Sequence, residues 1–215
     1  MKVVISGTSS GIGKATALLF LEKGYLVYGI DRNKSAIDNP NYTHYMKDIR
    51  DSNLPEVKDV DVIVANAGVQ DEDDAISINL MGTINFINKY QDSSNLKSIL
   101  LIASSSARNG AEFPLYSTSK GGVVSYMKNL ALNMAKRKVT VNSISPGGVI
   151  TPLNKHILEN EELYNQVLNE TLLKKWAEAR EIAEWIYFLT VINKSMTGED
   201  LLIDNGEILK SNFIW

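Results

Sequence analysis

The sequence predicts an α/β fold, in which one doubly wound parallel β-sheet carries helices on both faces. Three observations lead there. Short β-branched runs recur along the chain, segments with helical spacing separate them, and the residues just after the runs are small, polar or glycine. Continuous apolar runs are what strands buried on both faces require, and their alternation with helices calls for parallel connections.

The first run, Lys2 to Ser6 (KVVIS), leads into Ser6-Gly7-Thr8-Ser9-Ser10-Gly11-Ile12-Gly13 and a helical segment from Gly13 to Lys23. Strand, glycine turn and helix together form the setting of a phosphate-binding loop. Glycine allows positive φ and close approach of backbone to a pyrophosphate, while the free amides and dipole of the helix start favour an anion. A P-loop does not fit, because Thr8 and Ala15 stand where it needs glycine and a hydroxyl residue. A tight turn without a ligand is the alternative. The second run, Tyr25 to Ile30, ends at Asp31. A carboxylate there accepts hydrogen bonds from a ribose diol and repels a 2′-phosphate, which favours NAD(H) over NADP(H). Arg32 and Lys14 are cations able to neutralise a phosphate instead, and a strand-end turn also suits an aspartate.

Four more runs follow, Val60 to Ala65, Lys97 to Ala103, Val139 to Ser143 and Asp200 to Asp204. Helical segments cover Asp74 to Tyr90, Ser117 to Lys136 and Arg180 to Asn193. In such a sheet, ligands bind beyond the carboxyl ends of the strands, near the point where strand order reverses. Asn66-Ala67-Gly68, Ser104-Ser105-Ser106 and Ser145-Pro146-Gly147 occupy those ends. Tyr116 and Lys120, one helical turn apart, project from one face. A phenol with a pKa of about 10 becomes a usable acid or base beside a cation, since favouring the phenolate tenfold takes about 1.4 kcal/mol. Ser104 follows a buried run, where a hydroxyl can bond a substrate carbonyl; Ser105 and Ser106 compete for that place. Asn79, polar within AISINLMG, is either functional or a satisfied buried amide.

Composition narrows the function. A chain of 215 residues with 44% hydrophobic side chains suits one domain, residues 1–215. A formal charge of −3 argues against nucleic acid as a partner. With no cysteine, thiolate chemistry and thiolate metal sites drop out, and His44 and His156 are the two imidazoles, so no metal site is expected. The N-terminal MKVVISG lacks a signal-peptide pattern and no stretch reaches membrane-span length, so a cytoplasmic protein is expected.

Taken together, these motifs resemble the short-chain dehydrogenase/reductase family. The glycine motif is SGTSSGIG at residues 6 to 13, the acid-hydrophobe pair Asp48-Ile49 and the post-strand NAG Asn66-Ala67-Gly68. Asn79, Ser104, Tyr116 and Lys120 match the catalytic tetrad, and Pro146-Gly147-Gly148-Val149-Ile150-Thr151 the turn beside the nicotinamide. Thr197-Gly198 through Asp204-Asn205-Gly206 is similar to the family's last strand. The resemblance implies a Rossmann-type fold and an NAD(P)-dependent oxidoreductase acting on an alcohol/carbonyl pair. Tyr116 then transfers the proton, Lys120 lowers its pKa and holds the nicotinamide ribose, Ser104 polarises the carbonyl, and Asn79 supports a water that relays protons to Lys120. Cofactor contacts are implied for Gly7, Ser9, Ser10, Gly11, Ile12, Gly13, Asp31, Arg32, Asp48, Ile49, Asn66, Ala67, Gly68, Tyr116, Lys120, Pro146, Gly147, Val149 and Thr151.

The resemblance also implies a substrate lid at residues 153–173, for which a plain surface helix docked on the core is the alternative, and a homodimer or homotetramer paired through the helices of Asn79 and Tyr116. The apolar ending Phe213-Ile214-Trp215 is expected to pack on a partner subunit or over the pocket. The chain departs from the pattern in short intervals from Asp31 to Asn66 and from Asn66 to Asn79, and in a Ser104 one residue nearer Tyr116. A catalytically silent dinucleotide sensor on the same fold is the alternative function; it needs the glycine loop but not the tetrad.

Overall fold

The computed structural model describes residues 1–111 and 113–209. Phe213-Ile214-Trp215 lie outside the described residues. The strands are β1 (Lys2–Ser6), β2 (Leu26–Asp31), β3 (Tyr42–Met46), β4 (Val62–Ala65), β5 (Ser98–Ile102), β6 (Thr140–Pro146), β7 (Val149–Ile150), β8 (Ala177–Glu178) and β9 (Asp200–Ile203). Seven of them form one sheet in the order β3-β2-β1-β4-β5-β6-β9, with every neighbouring pair parallel. β7 and β8 make a separate ladder of two residues each.

The helices are α1 (Gly11–Glu22), α2 (Glu72–Ala75), α3 (Thr83–Tyr90), α4 (Ser106–Asn109), α5 (Pro114–Met134), α6 (Lys155–Leu158), α7 (Glu161–Glu170) and α8 (Ala179–Tyr187). A π-helical turn, Ile76–Gly82, joins α2 to α3, and another, Phe188–Ile192, prolongs α8. Among the described residues no helix is long and apolar enough to cross a membrane.

Strand residues alternate between two cores, as the period of two demands. Val3, Ile5, Val62, Val64, Leu100 and Ile102 face α1 and α8, where they meet Phe20, Ile182 and Ile186. Val4, Ile63, Ile99 and Leu101 face the other way, onto Phe86 and Ile87 of α3 and Val123, Met127 and Leu130 of α5. Both faces are covered, which is why the central strands read as unbroken apolar runs.

Six of the seven sheet strands coincide with runs legible in the sequence. The seventh, β3, does not, because Tyr-Thr-His-Tyr-Met is mostly polar and the strand lies half-exposed at the sheet edge. The crossovers on either side of it, residues 32–41 and 47–61, contain no helix. This accounts for the short interval from Asp31 to Asn66.

Phe20 is fully buried between Tyr25 and Tyr187, with ring centroids at 5.2 and 5.4 Å in edge-to-face arrangement. Phe20→Ala should lower the unfolding free energy by about 3–5 kcal/mol, read from urea denaturation midpoints at unchanged slope.

Candidate active site

The strand order reverses between β1 and β4, and a crevice opens there beyond their carboxyl ends. It forms a cavity of about 690 Å³, within the range of small-molecule and cofactor sites.

Its floor is the glycine loop. Gly7 and Gly11 have φ of +77° and +52°, values that side chains other than hydrogen resist. A Cβ on Gly13 would come 2.0 Å from the Gly7 carbonyl oxygen, so the helix start can pack on the loop only with glycine there. Ser10, the residue before α1, makes no side-chain capping bond, and the first turn of α1 holds no acidic residue. Gly11 and Ile12 line the cavity, so amides at a helix start are available to an anion. These features fit a pyrophosphate. Four hydrogen bonds clasp this loop to the turn after β4. Ser6 Oγ accepts the Asn66 and Ala67 amides, each at 3.0 Å, and Asn66 Nδ2 donates to the carbonyls of Ser6 and Gly7 at 3.0 and 3.2 Å.

At one end of the cavity stand Asp31, Arg32, Asp48 and Ile49. Asp31 accepts the Ser9 amide at 3.0 Å and the Asn33 amide at 2.8 Å, so its carboxylate is held at the rim by backbone. Arg50 grips both oxygens of Asp48 through Nε and Nη2 at 3.0 and 2.8 Å, and these hydrogen bonds hold the Asp48 carboxyl below its usual range. Ile49 lies against Gly82, where a Cβ would come 2.8 Å from its side chain.

At the other end are Ser104, Tyr116 and Lys120, with Pro146, Gly147, Val149 and Thr151 beside them. Ser104 and Ser105 line the cavity, whereas Ser106 turns inward and shares a 2.6 Å hydroxyl contact with Ser104. Lys120 is buried, its Nζ donates to the Ile102 carbonyl at 3.0 Å, and it lies 5.8 Å from the Tyr116 ring centroid. A Cβ on Gly68 would fall 3.2 Å from Lys120 Nζ and 3.0 Å from Asn79 Oδ1, so glycine leaves the space that both groups share. A phenol, a hydroxyl and a buried ammonium around one opening can exchange a proton with a bound oxygen.

Two residues expected to touch the cofactor, Ser9 and Gly13, lie outside the cavity lining, as does Asn79. Ser9 and Gly13 shape the loop without lining the cavity, since Ser9 Oγ donates to Asn33 O and Gly13 packs under Gly7. Asn79 sits behind the site. Its Oδ1 accepts the Val69 amide at 2.8 Å, and its Nδ2 donates to Val69 O at 2.9 Å and Ser119 Oγ at 3.0 Å. These bonds satisfy both ends of the buried Asn79 amide and tie it to Val69 and to α5.

Sequence reasoning missed Trp176 and Phe113, which also line the cavity, while His156 lines it from within the expected lid. A signal existed for Trp176 alone: its indole lies 2.1 Å from where a Cβ on Gly148 would stand, so the double glycine of the Pro-Gly turn makes room for it. Residues 152–170 form an excursion over this end, with α7 packed through Tyr164 on Trp176 at 5.8 Å. Its base is pinned by the β7–β8 ladder.

Known proteins share this architecture. Residues 44–207 match a family model described as enoyl-(acyl carrier protein) reductase. The chain belongs to the short-chain dehydrogenase/reductase family. It is 28% identical to glucose 1-dehydrogenase of Gluconobacter oxydans, over 99% of this chain and 93% of that one. It is 27% identical to the 3-oxoacyl-(acyl-carrier-protein) reductase of Thermotoga maritima, over 96% and 97%. Among solved structures it is similar to a short-chain dehydrogenase family protein of Francisella tularensis, at TM-score 0.86 and 28% identity over 97% and 99% of the chains. A 4-hydroxyisoleucine dehydrogenase complexed with NADH gives 0.84 and 25%, over 98% and 99%.

The buried lysine has a thermodynamic signature. Loss of hydration pushes the Lys120 pKa down to about 8 from an ordinary 10.5. Below about pH 8 both folded and unfolded Lys120 are charged, and the full cost of burying the ammonium is present. Between about 8 and 10.5 the unfolded chain binds more protons, so stability rises with pH. Across that window the wild type should gain about 3 kcal/mol relative to Lys120→Met, measured by urea denaturation at several pH values. Parallel curves would refute the desolvation.

Proposed function

We propose that this short-chain dehydrogenase/reductase moves a hydride between NAD(H) and a small alcohol or carbonyl compound, with Tyr116 as the general acid or base. The observation that carries this is the meeting of Ser104, Tyr116 and Lys120 with the glycine loop in one cavity. The nicotinamide ring, when bound, supplies or accepts the hydride. In the oxidative direction the substrate loses its hydroxyl proton to the Tyr116 phenolate; in the reductive direction the phenol returns it to the carbonyl oxygen. Lys120, charged below about pH 8, favours the phenolate and holds the ribose. Ser104 donates to the substrate oxygen and so fixes which carbon faces the ring. Asn79 keeps the Val69 loop in place beside Lys120 and supports a water that relays protons to it.

NAD(H) is preferred over NADP(H) because the Asp31 carboxylate is fixed at the rim by two amides and would repel a 2′-phosphate. The whole chain, residues 1–215, acts as one domain, and 153–173 serve as its lid. Leu153, Ile157 and Val167 give the lid an apolar underside, while exposed Glu159, Glu161 and Glu162 ring its outside. An apolar underside suits a small, partly apolar alcohol or carbonyl compound. A cytoplasmic homodimer or homotetramer completes the reading. The exposed apolar side chains Met81 and Leu132, on the segments carrying Asn79 and Tyr116, support pairing there.

A panel of aldoses, secondary alcohols and ketones, followed by NADH absorbance, tests the reaction. Tyr116→Phe should reduce turnover by about 10²–10⁴-fold with NADH binding intact; undiminished turnover would remove Tyr116 from the chemistry. Fluorescence titration should show tighter binding of NADH than of NADPH, and Asp31→Ala should narrow the gap. Tighter NADPH binding would assign selectivity to Arg32 or Lys14.

A further inference from the structure

The first turn of α5 presents a problem of unpaired donors, and its solution lies 44 residues earlier. A helix start leaves its first amides without partners inside the helix. In α5, Pro114 has no N–H, and the Ser117 amide reaches Phe113 O at 2.9 Å. The residue before the helix is Phe113, whose side chain cannot accept a hydrogen bond. Two donors are left, the amides of Leu115 and Tyr116. Both point to the Glu72 carboxylate: Leu115 N to Oε2 at 3.1 Å and Tyr116 N to Oε1 at 2.9 Å. The negative charge also stands where the dipole of α5 favours it.

Glu72 opens α2, the segment that continues through the π-helical turn to Asn79. A second tie joins the same two segments, since Asn79 Nδ2 donates to Ser119 Oγ at 3.0 Å and Ser119 Oγ donates to Tyr116 O at 2.6 Å. The turn carrying Tyr116 is therefore held at its amide by Glu72 and at its carbonyl through Ser119. This arrangement depends on the short stretch between Asn66 and α2, in which Asp71 caps α2 by accepting the Asp73 amide at 2.9 Å. A longer connection would carry the start of α2 away from the start of α5.

We propose that Glu72 is a positioning residue for Tyr116. Its carboxylate caps α5 from outside the helix and fixes the phenol's backbone, so that the reach of the phenol into the cavity depends on a side chain of α2. The inference rests on the reading of Tyr116 as the proton-transferring group.

The test uses the full chain labelled with 3-fluorotyrosine, the Tyr116 resonance being the one absent from Tyr116→Phe. In Glu72→Ala, hydrogen exchange at the Leu115 and Tyr116 amides should accelerate by about tenfold or more. The Tyr116 fluorine resonance should shift or broaden. With any substrate identified by the panel, kcat should fall about tenfold while the NADH dissociation constant stays unchanged. Glu72→Gln keeps an acceptor oxygen and should restore much of all three. An unmoved resonance in folded Glu72→Ala overturns the proposal, since a cap of purely structural value would lower only the melting temperature. Unchanged amide exchange overturns it too. If Glu72→Ala does not fold, Glu72→Asp, one methylene too short to reach both amides, is judged by the same two measurements. Full turnover in Tyr116→Phe would instead defeat the reading of Tyr116, and the fluorine and exchange results would still decide whether Glu72 positions the ring.

Discussion

The clasp between the carboxyl ends of β1 and β4 is the constraint on which the site depends. Ser6 and Asn66 anchor four hydrogen bonds across the point where strand order reverses. These bonds satisfy polar groups that would otherwise be stranded at the bottom of the crevice. They also bring the two turns so close that Gly7 and Gly13 have no room for a Cβ. Gly7 is thus required twice, by its own φ of +77° and by the turn that presses on it, and Gly13 once, by that crowding alone. From that turn the chain continues to Gly68 and Val69, which Asn79 and Lys120 flank from the other side.

Lys120 shows what this construction costs. Its ammonium, hydrogen-bonded to Ile102 O, sits in an interior that lowers its affinity for a proton. A well-packed apolar side chain would be more stable there. The charge lies 5.8 Å from the Tyr116 ring centroid, in surroundings of low polarity where Coulomb interactions are strong.

The helix-free crossovers and the short connection after β4 give the chain its own wiring. Arg50 links Asp48, at one end of the cavity, to Asp74 of α2 at 3.0 Å. Asn85 of α3 donates to the carbonyls of Ile49 and Asp51 at 2.7 and 3.1 Å. Where a longer chain would use packing between helices, this one ties the edge of its cofactor cavity to the α2–α3 segment with polar side chains. At the opposite end, Arg108 of α4 pairs with Asp200, which also accepts from Ser143 and Ser145. The loop of Ser104 is anchored through that pair to β9.

Much of this molecule was legible from residues in order. The six apolar strands, the helices between them and the glycine loop follow from local rules of periodicity and backbone freedom, and the small polar residues at strand ends mark where a ligand sits. Those signals are local, so they survive in one dimension. The polar edge strand β3 carried no such signal, since an edge strand is specified by its partner more than by its own hydrophobicity. Which of Ser104, Ser105 and Ser106 faces the cavity depended on how α4 turns after β5. The inward place of Asn79, the loss of Lys120's hydration, the packing of Trp176 on Gly148 and the capping of α5 by Glu72 all join residues far apart in the chain. Local order thus specifies the sheet, the glycine loop and the polar residues at the strand ends, whereas which of them meet is set in the folded molecule, because burial and hydrogen bonding depend on neighbours that folding supplies.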